Sequence, residues 1–434
     1  MVKRGLLLLS LMATVAGVAA QTQAPQPTAF AITNVRVEVG TGDVVSNAVV
    51  VVRDGRISEI RPGAAAPTGI EVIDGAGKTL YPGFFDGFSS RGIKASDPPT
   101  VAARPGQGTT APADFWIGNR KGITPEFRVA ENLDFAPDRA RWASGVTTTM
   151  ISPIRGGMRG VTALLDLLPA DAADRVLNPA CGSAMSFRLG AGAGYPTNLL
   201  GGIALLRQVL ADAQALNEGA VLYEGNTKPA WMASLEALQP VIRREMVVYF
   251  EANQAREIER AIAISEEFGF RLVIVGGREA GRVATLLAEK KIPVILSADP
   301  GTPPSTTIPA DTLNQDASPM EWREERVTRW REIALGDQAL ERAGVTFAFS
   351  SDGTMANLLS LVRARIGRGL SRGQALKSLT SDAASLLGVG DRLGKVAVGM
   401  RANLVLMSGD FADEKSSVER VWVGGRPVLA PEAK

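Results

Sequence analysis

The stretch Tyr81-Pro82-Gly83-Phe84-Phe85-Asp86-Gly87-Phe88-Ser89-Ser90 marks the change of pattern on which the fold assignment turns. Before it lie short strands. Ala31 to Val39 alternates apolar and polar residues, and Ala48 to Val52 is a β-branched run. Arg53-Asp54-Gly55-Arg56 carries an Asp-Gly hairpin signal, with Ile57 to Ile60 as the return strand and Ile70 to Asp74 as another. The far end has the same style. Ala402 to Met407 is an apolar strand, Val418 to Val423 alternates, and Gly424-Gly425 turns it into Arg426-Pro427-Val428. Neither end has enough strands to cover a core alone. Together they predict one small β-sandwich built from both termini, residues 29–80 and 396–434.

After the stretch, strand and helix alternate. Gly145 to Ile151 reads as a buried strand, and Glu257 to Phe268 sets Ile258, Ala261, Ile262 and Ile264 at helical spacing. Leu272 to Val275 is a strand ending in Gly276-Gly277, Ala280 to Glu289 a helix, and Ile292 to Leu296 a strand. Val345 to Phe349 is a strand ending in Ser350-Ser351-Asp352-Gly353. Such units repeated across residues 81–395 predict an α/β protein with a (β/α)8 TIM barrel, an open doubly wound sheet being the second choice. Arg155-Gly156-Gly157-Met158-Arg159-Gly160 is glycine-rich but matches no phosphate-binding loop, and is expected as an ordinary barrel loop. Pro309 to Arg331 is polar, carries Trp322 and Trp330, and is expected as loop and helix over the barrel mouth.

Residues 1–20 stand apart from this pattern. Lys3 and Arg4 precede an apolar run from Gly5 to Gly17, and Val18-Ala19-Ala20 offers the small residues a signal peptidase reads. The run is short for a bilayer span, which needs about 20 residues. A signal peptide cleaved after Ala20 is expected, with a periplasmic or secreted product and no membrane anchor thereafter. Its loss takes two from the 47 basic residues and leaves them equal to the 45 acidic ones. That balance argues against a nucleic-acid partner, which calls for a basic excess on one face. Hydrophobic residues at 45% and charged residues at 21% are ordinary for a globular enzyme-like protein and argue against disorder or coiled coil.

The sequence contains no histidine. No imidazole is present for metal binding, for a general base near neutral pH, or for a nucleophile–base triad. The single cysteine, Cys181, has no partner for an internal disulfide and no histidine to activate it. It is expected to be buried and inert.

The Tyr81 to Ser90 stretch resembles the signature of the amidohydrolase superfamily, where a Pro-Gly turn leads into the first barrel strand, an Asp and a His-x-His pair. Pro82, Gly83, Phe84 and Asp86 match it, and the two histidine positions fall on Phe88 and Ser90. Phe250 to Leu296 is similar to the imidazolonepropionase-like branch, through Ala255-Arg256-Glu257-Ile258, Ile274 to Ala280 and Ile292 to Leu296. Ser350-Ser351-Asp352 resembles the end of the eighth strand, where the family places its catalytic Asp. Thr380 to Leu387 resembles the next family helix, and Gly394 to Leu406 the return to the sandwich, with Asn403 where Asp is usual. The order and spacing hold along nearly the whole mature chain.

In the family, histidines hold one or two divalent metals that make a hydroxide, and the eighth-strand Asp shuttles the proton. The resemblance puts the fifth-strand histidine position on Glu251 and the sixth near Gly276 or Gly277, so every imidazole ligand is replaced. Phe88 is expected to fill the space of a metal, and Ser90 is a weak ligand. Glu251 at a strand end points to the mouth, with an ion pair as the bland reading. Together with Asp86, Asp352 and Glu279 it is also a candidate for an all-oxygen site for Ca²⁺, Mg²⁺ or Mn²⁺. Asp352 is a proton shuttle, a ligand contact or a relic; a lone carboxylate with a pKa of about 4 is a poor base at neutral pH. No metal and no cofactor are therefore the leading expectation. Three functions follow: a non-catalytic homologue that pairs with a related amidohydrolase subunit, a carboxylate-based hydrolase of cyclic amides or related carbon–nitrogen bonds, and a binding protein for a small molecule.

Overall fold

The computed structural model describes residues 29–65, 67–93, 122–134, 139–154, 156–168, 172–188, 196, 198–225, 227–229, 231–305, 320–353 and 357–429. The expected signal peptide, the lead-in before residue 29, Arg155 and residues 309–319 lie outside them. The first strands are β1 (Phe30–Glu38), β2 (Val44–Arg53), β3 (Arg56–Pro62), β4 (Glu71–Asp74) and β5 (Thr79–Pro82). Then come β6 (Phe84–Ser89), β7 (Val146–Ile151), β8 (Met158–Asp166), β9 (Val176–Ser186), β10 (Val248–Ala252), β11 (Leu272–Gly276), β12 (Val294–Ser297) and β13 (Phe347–Ser350). The last are β14 (Leu404–Met407), β15 (Val418–Val423) and β16 (Arg426–Leu429).

The terminal strands join in one sheet of order β16-β15-β14-β5-β1-β2-β3, with β4 beside β1. The antiparallel pair β5–β14, with Leu404 opposite Pro82, fastens the two ends of the chain together. The sandwich expected from the sequence thus takes the form of a single hydrogen-bonded sheet. Its distant strands still share a core: Phe30 of β1 stacks on Trp422 of β15 with ring centroids 5.2 Å apart, over Ile32, Val50, Leu80, Leu404 and Leu406. The β2–β3 hairpin turns at Asp54 and Gly55, with φ of 51° and 74°, the geometry for which Asp-Gly is favoured.

The second sheet runs in chain order from β6 to β13. Strands β9 to β13 are mutually parallel, as are β6 and β7. The two ends of this sheet meet. Ser351, just past β13, donates its N–H and its hydroxyl to the two carboxylate oxygens of Asp86 on β6, at 2.9 and 2.6 Å. The result is a nearly closed eight-stranded barrel.

One strand departs from the expected (β/α)8 pattern. β8 runs antiparallel to both β7 and β9. The connections, residues 152–157 and 167–175, are too short for a parallel return, which takes about a dozen residues or more. Two hairpins therefore stand where two βα units were expected. The Arg155 to Gly160 segment is not simply a loop, because Met158, Arg159 and Gly160 open β8. Gly160 has φ of 117°, and a Cβ on it would come within 2.4 Å of the Phe127 carbonyl oxygen, so the reversed strand can start here only on glycine.

Apolar side chains fill the barrel, among them Phe85, Met150, Leu164, Val273, Val275, Ile295 and Ala348. The alternate strand residues, including Phe250, Ile274, Val294 and Phe347, face an outer core. Helix Ala255–Phe268 covers part of it with Ile258, Ala261, Ile262 and Ile264, as its spacing predicts. Among the described residues, helix Leu199–Asn217 is long and apolar enough to cross a membrane by length and composition. It buries Leu205, Leu206, Val209, Leu210 and Ala213 in the outer core.

A buried polar knot joins barrel and terminal sheet. Asp166 of β8 accepts from Thr148 at 3.1 Å and Asn403 at 2.7 Å through one oxygen, and from Arg401 Nε at 2.7 Å through the other. The Asn403 carbonyl accepts from the Gly424 N–H at 2.7 Å. An amide is required here, since one end must donate and the other accept. An aspartate would set a second carboxylate against Asp166. Asn403→Asp is therefore expected to lower unfolding free energy by about 3 kcal/mol, the scale of a broken buried charge network. Urea denaturation checks this, and a loss under about 1 kcal/mol would contradict it.

Candidate functional site

The reversal of β8 decides what stands at the barrel mouth. A parallel strand brings its last residues to that end, whereas an antiparallel one brings its first. Met158 lies opposite Met185, which lies opposite Phe250. Arg159 thus reaches the level of Glu251, whose side chain turns inward on the same face of β10 as Tyr249. Arg159 Nη1 meets Glu251 Oε2 at 2.6 Å, and Arg188 Nη2 meets Oε1 at 3.1 Å. The side chains are 1% exposed in Arg159, 14% in Glu251 and 70% in Arg188. Arg159 Nε donates to the Gly156 carbonyl at 3.1 Å. Its Nη2 is buried and has no acceptor among the described residues. Burial lowers the pKa of Arg159 and Glu251 raises it again. The guanidinium stays charged at any working pH. Two cations therefore face one carboxylate. Beside them is a cavity of about 150 Å³ lined by Phe187, Arg188, Glu251, Asn253, Gln254 and Glu257.

The other sequence candidates are dispersed. Asp86 is buried on β6 and clasps Ser351; burial pushes its pKa up, against Arg141 and the Ser351 bonds. Phe88 is buried in the apolar cluster that fills the barrel. Ser90 lies against Gly353, where a Cβ would sit 2.9 Å from the serine hydroxyl. Gly276 and Gly277, at φ of 86° and 54°, turn the chain after β11. A Cβ on Gly276 would strike the Asn253 side chain at 2.5 Å. Glu279 has partners of its own. It accepts from the Ala255 N–H at 3.0 Å, at the start of the covering helix, and is ion-paired with Arg329. Cys181 is buried near the opposite end, where desolvation raises its thiol to about 11, leaving it inert at neutral pH.

Asp352 shares the mouth with Glu251. It has φ of 52°, a left-handed conformation that aspartate tolerates, and its carboxylate accepts from the Ser350 hydroxyl at 2.6 Å. It is exposed. Surrounding protein, and to a lesser degree the Glu251 charge, push its pKa above the ordinary 3.8 despite bonds from Ser297 and Ser350.

These placements bear on the all-oxygen metal site. Glu251 is taken by two guanidinium groups, Asp86 by Ser351, and Glu279 by Arg329 and a backbone amide. The described residues hold no group of three or more Cys, Asp or Glu placed to share an ion. A divalent cation at Glu251 would lie beside a fixed arginine charge, so the residues present do not fit that group. A larger groove of about 1010 Å³ opens at the other end of the barrel, past Val247, Arg271 and Ile292. Barrel chemistry is built at the end where the parallel strands finish, which favours the mouth.

A family model described as amidohydrolase family matches residues 206–429, just over half the chain, and the protein belongs to that family. Among solved structures the chain is similar to an amidohydrolase from Thermotoga maritima MSB8, at 25% identity, TM-score 0.69, 92% of this chain and 100% of that one. It is also similar to a Xaa-Pro dipeptidase with bound methionine in the active site, at 16% identity, TM-score 0.54, 92% of this chain and 99% of that one. A prolidase complexed with N-methylphosphonate-L-proline is similar at 18% identity, TM-score 0.53, 93% of this chain and 100% of that one. The last two speak for the fold alone. No curated protein matches.

Arg159 and Arg188 were not among the sequence candidates. The available signal was an arginine just before Gly160-Val161-Thr162-Ala163-Leu164-Leu165, a charge at the head of an apolar β-prone run. Two predictions follow from the cluster. Glu251→Gln leaves Arg159 buried without its counter-charge and should cost about 3–5 kcal/mol in chemical denaturation. Arg188→Gln, at an exposed pair, should cost under about 1 kcal/mol. Near-equal losses would show that Arg159 is not buried as described. For Asp352, a raised native pKa means that protonation favours the folded state. Its contribution is full below pH 3.8 and falls as pH rises through the native value. The stability of wild type relative to Asp352→Asn should therefore decline with rising pH, and a rise would reverse the assignment.

Proposed function

We propose that this amidohydrolase-family protein does not carry out metal-dependent hydrolysis, and that it acts as a pseudoenzyme, the partner subunit of a related, histidine-bearing amidohydrolase. One observation carries the reading. Glu251, at the family's fifth-strand histidine position, is engaged by the buried guanidinium of Arg159 at 2.6 Å. A fixed protein cation thus occupies the electrostatic place of a metal, but it offers no open coordination position and cannot generate a hydroxide. The absence of any histidine in the sequence supports the same reading. The finer affiliation is with the imidazolonepropionase-like branch. The leader at residues 1–20 makes it an exported protein, periplasmic or secreted, after cleavage at Ala20.

Carboxylate-based hydrolysis of a carbon–nitrogen bond is the second reading. It is favoured by the raised pKa of Asp352 at a mouth shared with Glu251. One preparation tests both: the mature chain, purified without a histidine tag and without chelators. Elemental analysis is expected to find well under one Zn, Mn or Ca per chain, and a panel of amides, lactams and dipeptides is expected to remain unhydrolysed. About one metal per chain with turnover would overturn the proposal. Metal-free turnover abolished by Asp352→Asn would establish the second reading in its place.

A further inference from the structure

We infer that the groove at the base of the barrel binds an amphipathic organic anion, an acid with a hydrocarbon body, whose head is held by Arg244 and Lys291. The groove is about 1010 Å³, at the top of the range of roughly 300–1,000 Å³ in which small ligands are held. It lies at the end of the lumen opposite Glu251, among the turns that lead into β10, β11 and β12. Four successive turns at this end bring a helix back into a strand. Each closes its helix with a left-handed residue: Arg244 at φ 62° before β10, Gly269 at 71° before β11, Lys291 at 55° before β12 and Gly344 at 73° before β13. Glycine adopts this conformation freely, whereas a side chain there lowers stability. Two of the four positions carry a basic side chain all the same, and both line the groove. Strain kept where glycine would relieve it points to a role for the side chain.

The charges around the groove fit that role. Lys290 pairs with Glu266 at 2.5 Å, and Arg271 donates to the Glu245 carbonyl at 2.9 Å. Arg244 and Lys291 are exposed and have no side-chain partner among the described residues. The lining sets Arg244, Arg271, Lys290 and Lys291 against Glu245 and Glu266, and with Glu289 beside Lys290 the cations are still in excess. Since β11 separates β10 from β12, the two turns stand about 10 Å apart, a span that two long flexible side chains close onto one head group. The rest of the wall selects the body of the ligand. Met246, Val247, Pro293 and Leu386 line the groove half-buried. Polar atoms of the floor are already engaged, with Cys181 Sγ 3.4 Å from the Tyr249 hydroxyl and 3.8 Å from the Leu387 carbonyl oxygen. Tyr249 and Phe270 are 2% and 4% exposed, so no ring face is offered to a nucleobase. A hydrocarbon chain covers such a wall, and a small hydrophilic anion leaves it wet.

The site is independent of what the mouth binds. Calorimetric titration of the same preparation with octanoate tests it. Octanoate should bind once per chain, and from butanoate to octanoate each added carbon should lower the Kd about two- to fourfold, the scale of a buried methylene. 1-Octanol, which lacks the charge, should bind at least about tenfold more weakly, the scale of a lost charge-assisted bond. Arg244→Gly combined with Lys291→Gly should raise the octanoate Kd at least about tenfold. The same double variant should keep or raise the Tm, because glycine relieves the left-handed backbone. Arg244→Lys combined with Lys291→Arg preserves the charges and should preserve binding. Unsaturable titration, equal binding of octanol, an affinity indifferent to chain length, or an unchanged Kd in the double glycine variant would each overturn the site. A Tm that falls together with binding in that variant would mark the two cations as structural and overturn it as well.

Discussion

A guanidinium group that is 1% exposed has to be answered by charge, and the meeting of Arg159 with Glu251 is the constraint around which the barrel is arranged. It needs a strand that starts at the mouth. A parallel (β/α) unit cannot supply one, because its strands all finish there. The short links on either side of β8 turn that strand round, and Gly160, in a conformation closed to other residues, lets it pass the Phe127 carbonyl. The antiparallel strand is therefore not a blemish in the barrel. It is the means by which a cation is carried to the end of the lumen.

Buried polar groups also set the other junctions. The Asp86–Ser351 clasp brings the edge strands of the barrel together where no backbone ladder does so. The Asp166 knot joins the barrel to the sheet made by both termini. Such groups add little net stability over well-packed apolar residues, since desolvation offsets most of their attraction. What they do is penalise every other arrangement, because a misplaced strand would leave a charge buried and unpaired. The apolar lumen, from Phe85 to Ala348, provides the driving force without specifying which strand goes where.

Much of this was legible in the sequence. Alternation in Ala31 to Val39, the Asp54-Gly55 turn and the helical spacing of Ile258, Ala261 and Ile262 each report a local choice that burial enforces, and each appears in the fold. The match at Pro82, Gly83, Phe84 and Asp86 located the first barrel strand. The segment from Gly156 to Ser186 reads as loop at its head, where Met158, Arg159 and Gly160 in fact open a strand, and neither of its two strands is legible, for a physical reason. A hairpin strand and a barrel strand have the same period, and only the partner decides the direction. Glu251 was visible as a carboxylate at a strand end, but the arginine that answers it comes from β8, whose direction local residues do not encode. Glu279 and Asp86 looked like ligands by type. Their partners, Arg329 and Ser351, are separated from them in sequence and turn them to structural work.

Asn403 and Arg159 illustrate one rule at opposite ends of the barrel. At Asn403 an amide is called for, because the neighbouring buried Asp166 needs a donor. At the mouth, Arg159 reaches one oxygen of Glu251 and Arg188 the other. A metal and a guanidinium attract anions alike, yet only the metal polarises bound water and opens a coordination position to a substrate. A guanidinium therefore offers only one of the two properties that a metal site combines. In both places a largely buried carboxylate calls for a donor, and the residue that supplies it, Asn403 or Arg159, comes from a segment distant in sequence.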